Sequence, residues 1–138
     1  ICMTHVGFNG KGVNIMKFYV CERCGRIMAE VKEGGPLVCC GEPMKELVPN
    51  TVEASAEKHL PVIEVEGDKV TVTVGSVLHP MEEEHYIEWI VLVTKHGNQR
   101  VVLKPGQEPK ACFALCCGDE VLEAYAYCNL HGLWKTEA

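Results

Sequence analysis

Between Lys17 and Leu47 the chain sets Cys21, Cys24, Cys39 and Cys40 into a stretch whose apolar residues come only in short pieces: FYV, IMAEV, LVCCGEP and MKEL. Some thirty residues of this kind bury too little surface to fold by hydrophobicity alone, so a staple is expected. Cys21 and Cys24 form a C-x-x-C knuckle followed by Gly25, and Cys39 and Cys40 stand side by side before Gly41. Four thiolates make a tetrahedral sulfur cage that suits zinc or a single iron. Neighbouring side chains of an extended chain point to opposite faces, so both Cys39 and Cys40 reach one ion only if the backbone turns sharply, with Gly41 supplying the freedom.

Beyond the polar connector VPNTVEAS the pattern changes to period two. Val70, Val72 and Val74 alternate with Thr71 and Thr73, and Ile87, Trp89, Val91 and Val93 alternate with Glu88 and other partners, which marks strands. Further strands are expected over 61–66, 99–104, 111–115 and 121–127, separated by the turn texts EGDK, KHGN and KPGQEP. Six or so short strands without a long helical period predict an all-β protein, a metal-stapled module followed by an antiparallel β-sandwich of the immunoglobulin-like kind. The division expected is an extension of unknown role over 1–15, the four-cysteine domain over 16–47, a linker over 48–57 and the sandwich over 58–138. Cys2 and His5 are assigned no role.

A net charge of −6 without a basic patch argues against a general grip on nucleic acid. No apolar run approaches a membrane span and no signal-like segment opens the chain, so a soluble, cytoplasmic protein with no membrane partner is expected. Nine cysteines in such a compartment are for metal or redox work rather than disulfides.

Four of the six histidines fall in three compact texts, AEKHLP, HPMEEEH and YCNLHG, the last of which also holds Cys128. His59, His79, His85, His131 and Cys128 all stand at expected strand ends, where the loops of a sandwich gather. Five nitrogen and sulfur donors exceed the four of structural zinc and suit an ion that takes five or six ligands, such as iron. A sixth position would stay open to a small anion.

EKHLPVIE, GSVLHPMEEEHYIEWI, LKPG and YCNLHGLWK together resemble desulfoferrodoxin, the two-centre form of superoxide reductase, and CERCG with LVCCGEPMK resembles its small desulforedoxin-like domain. The resemblance implies a rubredoxin-type iron on Cys21, Cys24, Cys39 and Cys40, a site that zinc can also fill in a recombinant preparation. It implies a second iron with His59, His79, His85 and His131 as equatorial ligands and Cys128 as the axial thiolate. It further implies one-electron reduction of superoxide to hydrogen peroxide without dismutation, re-reduction by rubredoxin or a similar carrier, and a homodimer paired through the small domains. Glu57 and Lys58 would lie on a mobile loop over the open position. An ammonium there would steer superoxide against the overall field and orient the water that protonates the product, and the carboxylate would close the site afterwards.

Cys112, Cys116 and Cys117 depart from the pattern and read as buried or idle thiols. His96 reads as a surface residue, and Trp89 and Trp134 as core or site-wall aromatics, with core favoured. Two other classes fit the same texts, a rubredoxin-like electron carrier and a structural zinc-binding module. Cys128 discriminates, because neither needs a thiolate within a histidine cluster.

Overall fold

A computed structural model describes residues 16–138, so the segment 1–15 lies outside the described residues. The described chain forms two compact units that meet in sequence at Val48 and Pro49.

In the first unit, β1 (Phe18–Val20) pairs antiparallel with β2 (Ile27–Ala29) and with β5 (Lys45–Leu47). Between them β3 (Val38–Cys39) and β4 (Glu42–Pro43) make a hairpin in which Cys39 pairs with Glu42. Its two central residues, Cys40 (φ 52) and Gly41 (φ 75), are both left-handed, as a two-residue hairpin of the twist-matched type requires. The turn therefore bends at Cys40 itself as well as at the glycine. Of residues 16–48 only Phe18 and Cys21 are buried, so the unit has almost no apolar core.

The second unit is an antiparallel sandwich. After the short helix α1 (Ala56–His59), the three-stranded sheet orders β10 (Lys110–Ala114), β7 (Lys69–Val74) and β6 (Pro61–Glu66). The four-stranded sheet orders β12 (Gly132–Glu137), β11 (Val121–Cys128), β8 (Ile87–Thr94) and β9 (Gly97–Val102). Three strands facing four is the division of an immunoglobulin-like constant-type sandwich. The core joins Val70, Val72 and Val74 of β7, Ala111 and Phe113 of β10, Ile87, Ile90 and Leu92 of β8, and Ala124, Ala126 and Cys128 of β11.

The valine alternation of β7 carries straight into the structure, with Val70, Val72 and Val74 fully buried. In β8 the alternation breaks. Tyr127 pairs with Trp89 but Cys128 pairs with Ile87, so the register skips Glu88 at a bulge. One extra residue swaps the faces that follow, and Ile90 and Leu92 join the core cluster with Ile87, while Val91 and Val93 are buried outside that cluster. Trp89 instead stacks on Tyr127 with ring centroids 5.5 Å apart and is only half-buried, which corrects its reading as a core residue. Cys112 and Cys116 are exposed free thiols rather than buried ones, because Cys112 takes an outward position of β10 and Cys116 lies in the following turn. Cys117 is disulfide-bonded, which corrects its reading as an idle thiol and the expectation that no cysteine here serves a disulfide. No helix among the described residues is long and apolar enough to cross a membrane.

Candidate metal centres

The four cysteine sulfurs of the first unit lie within 4.8 Å of one another. Cys24 Sγ is 3.6 Å from Cys39 Sγ, and Cys39 Sγ is 3.9 Å from Cys40 Sγ. An ion holding sulfurs tetrahedrally at about 2.3 Å spaces them about 3.8 Å apart, so the cluster has the dimensions of a metal cage. The knuckle is closed by the Gly25 N–H donating to the Cys21 carbonyl at 2.8 Å. The backbone N–H of Cys24 lowers the Cys21 thiol to about 7, while the sulfurs of Cys24 and Cys21 raise Cys39 to about 12. Without a cation the cluster thus resists a second negative charge, which a bound ion would relieve.

His59, His79, His85, Cys128 and His131 converge in the same way, their donor atoms within 4.8 Å of one another. They arrive from four kinds of local structure. His59 ends α1, His79 and His85 lie on the loop between β7 and β8, and Cys128 is the last residue of β11. His131 sits in the three-residue turn that closes on Gly132, whose φ of 77 admits only glycine comfortably.

The hydrogen bonds of the rings test whether this cluster fits a metal. His59 Nδ1 lies 2.7 Å from the Ser55 carbonyl and His79 Nδ1 lies 2.7 Å from the Pro80 carbonyl. A carbonyl only accepts, so both Nδ1 atoms carry the proton and both Nε2 atoms are bare in the neutral rings. Burial lowers both histidines, His79 to about 4, and keeps them neutral. Two bare Nε2 atoms nevertheless face each other at 3.2 Å. His131 Nδ1 approaches His59 Nε2 to 3.1 Å, and the buried His85 Nε2 has no hydrogen-bond partner among the described residues. Lone pair against lone pair is repulsive unless a cation lies between, and nitrogens bound at right angles about 2.1 Å from one ion stand about 3 Å apart. The donor set fits a metal ion.

Cys128 is fully buried and 3.8 Å from His131 Nδ1. Burial pushes its thiol up, while the N–H groups of Leu130 and His131 pull it back. Trp134, read from the sequence as core or site wall, is buried as the wall of this site: its ring stacks on His59 at 4.9 Å and its indole N–H donates to the His131 carbonyl at 3.1 Å. Glu57 and Lys58 occupy the exposed side of α1 beside His59, and Lys58 is close enough for its charge to bear on that ring.

Sequence reasoning missed Asn129. Its Nδ2 donates to the Glu84 carbonyl and its Oδ1 accepts from the Tyr86 N–H, both at 3.0 Å, so it sews the loop carrying His85 to the turn carrying Cys128 and His131. The signal was an asparagine inside YCNLHG, where such a residue bonds to nearby backbone. Asn129→Ala is expected to lower the stability of the metal-free protein by about 1–2 kcal/mol in denaturant titration. A loss within error would mean that water replaces both bonds.

Fold and donor sets together define a class: a two-unit β protein with a four-thiolate site in a small coreless module and a four-histidine, one-cysteine site at one end of a sandwich. A family model described as Desulfoferrodoxin matches residues 51–137, and one described as Desulfoferrodoxin, N-terminal domain, matches residues 13–47. The chain belongs to the desulfoferrodoxin family. It is 51% identical over 123 residues to the desulfoferrodoxin of Syntrophotalea carbinolica, covering 88% of this chain and 96% of that one. It is 52% identical over 123 residues to the desulfoferrodoxin homolog of Archaeoglobus fulgidus, covering 88% and 97%. The crystal structure of the superoxide reductase from Treponema pallidum superposes with a TM-score of 0.77 at 41% identity, covering 89% of this chain and 99% of that one.

Proposed function

We propose that this chain is a superoxide reductase, passing one electron to superoxide and releasing hydrogen peroxide without forming oxygen. The observation that carries the reading is the convergence of four imidazoles and one thiolate, a donor set richer than structural zinc takes and suited to iron with a position left for a small anion. Ferrous iron bound there would supply the electron. His59, His79, His85, His131 and Cys128 would hold it, and the bonds that two of the rings donate to the Ser55 and Pro80 carbonyls fix them with Nε2 bare.

The remaining work belongs to protein groups. The Lys58 ammonium draws the anion toward a molecule whose net charge is −6 and orients the water that delivers a proton to the departing peroxide. Glu57 closes the opening after product leaves. Trp134, stacked on His59, keeps water from the buried side of the site. Cys21, Cys24, Cys39 and Cys40 would hold a second iron. Rubredoxin or a similar small carrier would return the electron in the cytoplasm. The small units, with little core of their own, would pair in a homodimer.

The test is the iron-loaded, reduced protein mixed with superoxide. One peroxide per superoxide consumed, with no oxygen evolved, is expected; oxygen evolution at half that yield would make it a dismutase and overturn the reading. Lys58→Ala is expected to fold normally and to lose at least about tenfold in association rate together with most of its salt dependence. A Lys58→Ala rate equal to wild type and equally salt-dependent would end the steering role. Glu57→Ala is expected to slow the closing step and leave association unchanged.

A further inference from the structure

Gly75, Ser76 and Val77 leave the end of β7 and lie directly against the backbone of α1. The Val77 N–H donates to the Glu57 carbonyl at 3.0 Å, and the Ser76 hydroxyl donates to the same oxygen at 3.2 Å. Gly75 is buried at the closest point. A Cβ there would stand 2.4 Å from the Glu57 oxygen and 2.9 Å from the Lys58 carbonyl carbon, both backbone atoms that no side-chain rotation can clear. Only glycine permits this approach.

The seat matters because α1 has little to hold it. It is a single turn of four residues, with no side-chain cap from Ser55. A helix that short does not persist on its own. Among the backbone bonds at its ends are Lys58 N–H to the Ser55 carbonyl at 3.2 Å and Leu60 N–H to the Ala56 carbonyl at 2.9 Å. The two bonds to the Glu57 carbonyl tie this turn to the sandwich. His59 takes its ring orientation from the same turn, through the bond from Nδ1 to the Ser55 carbonyl. The His79 N–H, donating to the Val74 carbonyl at 2.9 Å, places a second donor of the same cluster on the other side of the seat.

We propose that Gly75 and Ser76 are positioning residues: the Gly75–Val77 turn is a seat that sets where α1 presents His59 to the five-donor cluster and Lys58 to its mouth. Neither touches the ion or the substrate; both act through the Glu57 carbonyl. The His59 part stands on geometry alone, and the Lys58 part rests on the superoxide reductase reading. A donor constellation has to be held within about 0.5 Å to work, and a methyl group at residue 75 displaces the Glu57 carbonyl beyond that tolerance, to at least 3.0 Å from the new Cβ.

The experiment titrates the metal-free full chain with cobalt(II) and follows the visible spectrum, in which sulfur-only and imidazole-thiolate sites absorb differently. Gly75→Ala is expected to weaken cobalt binding at the five-donor cluster at least tenfold and to shift its bands, while the four-thiolate site fills at the wild-type concentration. Ser76→Ala introduces no clash and removes one of two bonds; it is expected to weaken the same site two- to fivefold, with Ser76→Thr restoring it. A purely structural role would lower the melting temperature without moving the bands and without rescue by threonine. Wild-type cobalt affinity and bands in Ser76→Ala and in a folded Gly75→Ala overturn the proposal. Should Gly75→Ala fail to fold, the Ser76 pair decides alone. None of these readouts involves superoxide, so a wild-type chain that binds cobalt as expected yet evolves oxygen would overturn the reductase reading and leave the seat standing.

Discussion

Cys39→Ser is expected to unfold the first unit while the sandwich keeps its own melting transition. Cys39 Sγ sits within the sulfur cluster, 3.6 Å from Cys24 Sγ and 3.9 Å from Cys40 Sγ. Around that cluster there is little else to hold the unit: Val31 is 100% exposed and Val38 60%. Binding a structural metal to thiolates is worth roughly 10–16 kcal/mol at neutral pH, comparable to the whole stability of an ordinary domain. In a unit with no core that binding energy is the folding energy. Limited proteolysis is the direct measurement, with cleavage expected within 16–48, a protected fragment from about residue 49 onward, and metal content falling by one equivalent. A Cys39→Ser protein that resists cleavage there would show that the short β1, β2 and β5 strands suffice without metal. The sandwich is expected to survive because its core, from Val70 to Cys128, lies wholly within the second unit.

What the residue text revealed and what it hid follow one physical line. Local patterns were legible: the valine alternation of β7, the C-x-x-C knuckle, the paired cysteines, and the histidines bunched in three loop texts. Each of these is a short-range constraint, set by strand pleat or by ligand spacing. Features made by distant contacts were not. The bulge that skips Glu88 arises from pairing with β11, so nothing in IEWIVLV announces that Ile90 and Leu92 face inward. The strand β12 was hidden because Lys135 and Thr136 interrupt its apolar run, although it pairs with β11 over six positions. Asn50 belongs to the same group: it reads as part of a polar connector, yet its side chain exchanges two hydrogen bonds with the backbone of Lys135 at 3.0 and 2.8 Å. Nothing in VGSV marks Gly75, because its reason is a backbone eighteen residues earlier.

Cys128→Ser is expected to leave the sandwich folded and abolish its chemistry. The substitution exchanges a fully buried sulfur for a smaller oxygen in the core, a cost of about 1–3 kcal/mol for a buried hydroxyl left without a good partner. The larger consequence is electrical. A thiol so deep in the protein resists ionisation, and only the N–H groups of Leu130 and His131 favour its anion within the chain, so a bound divalent ion is what makes the thiolate stable there. Serine does not ionise under the same pull. The cluster then keeps four neutral imidazoles, loses its one anionic donor, and holds a metal with one more unit of positive charge. Sulfur donation, the lever that tunes thiolate-bound iron toward giving up an electron, is lost with it. Removing even an outer hydrogen-bond partner of a metal ligand costs roughly 10–100-fold, and the loss of this direct ligand should exceed that. The iron-loaded variant is therefore expected to lack the thiolate charge-transfer band of the five-donor site and to react with superoxide at least about a hundredfold more slowly, while the four-thiolate absorption is unchanged. If the protein is instead an electron carrier or a zinc-stapled module, Cys128→Ser leaves its redox behaviour at the four-thiolate site intact and no superoxide rate exists to lose; a wild-type superoxide rate in this variant would remove Cys128 from the reaction altogether.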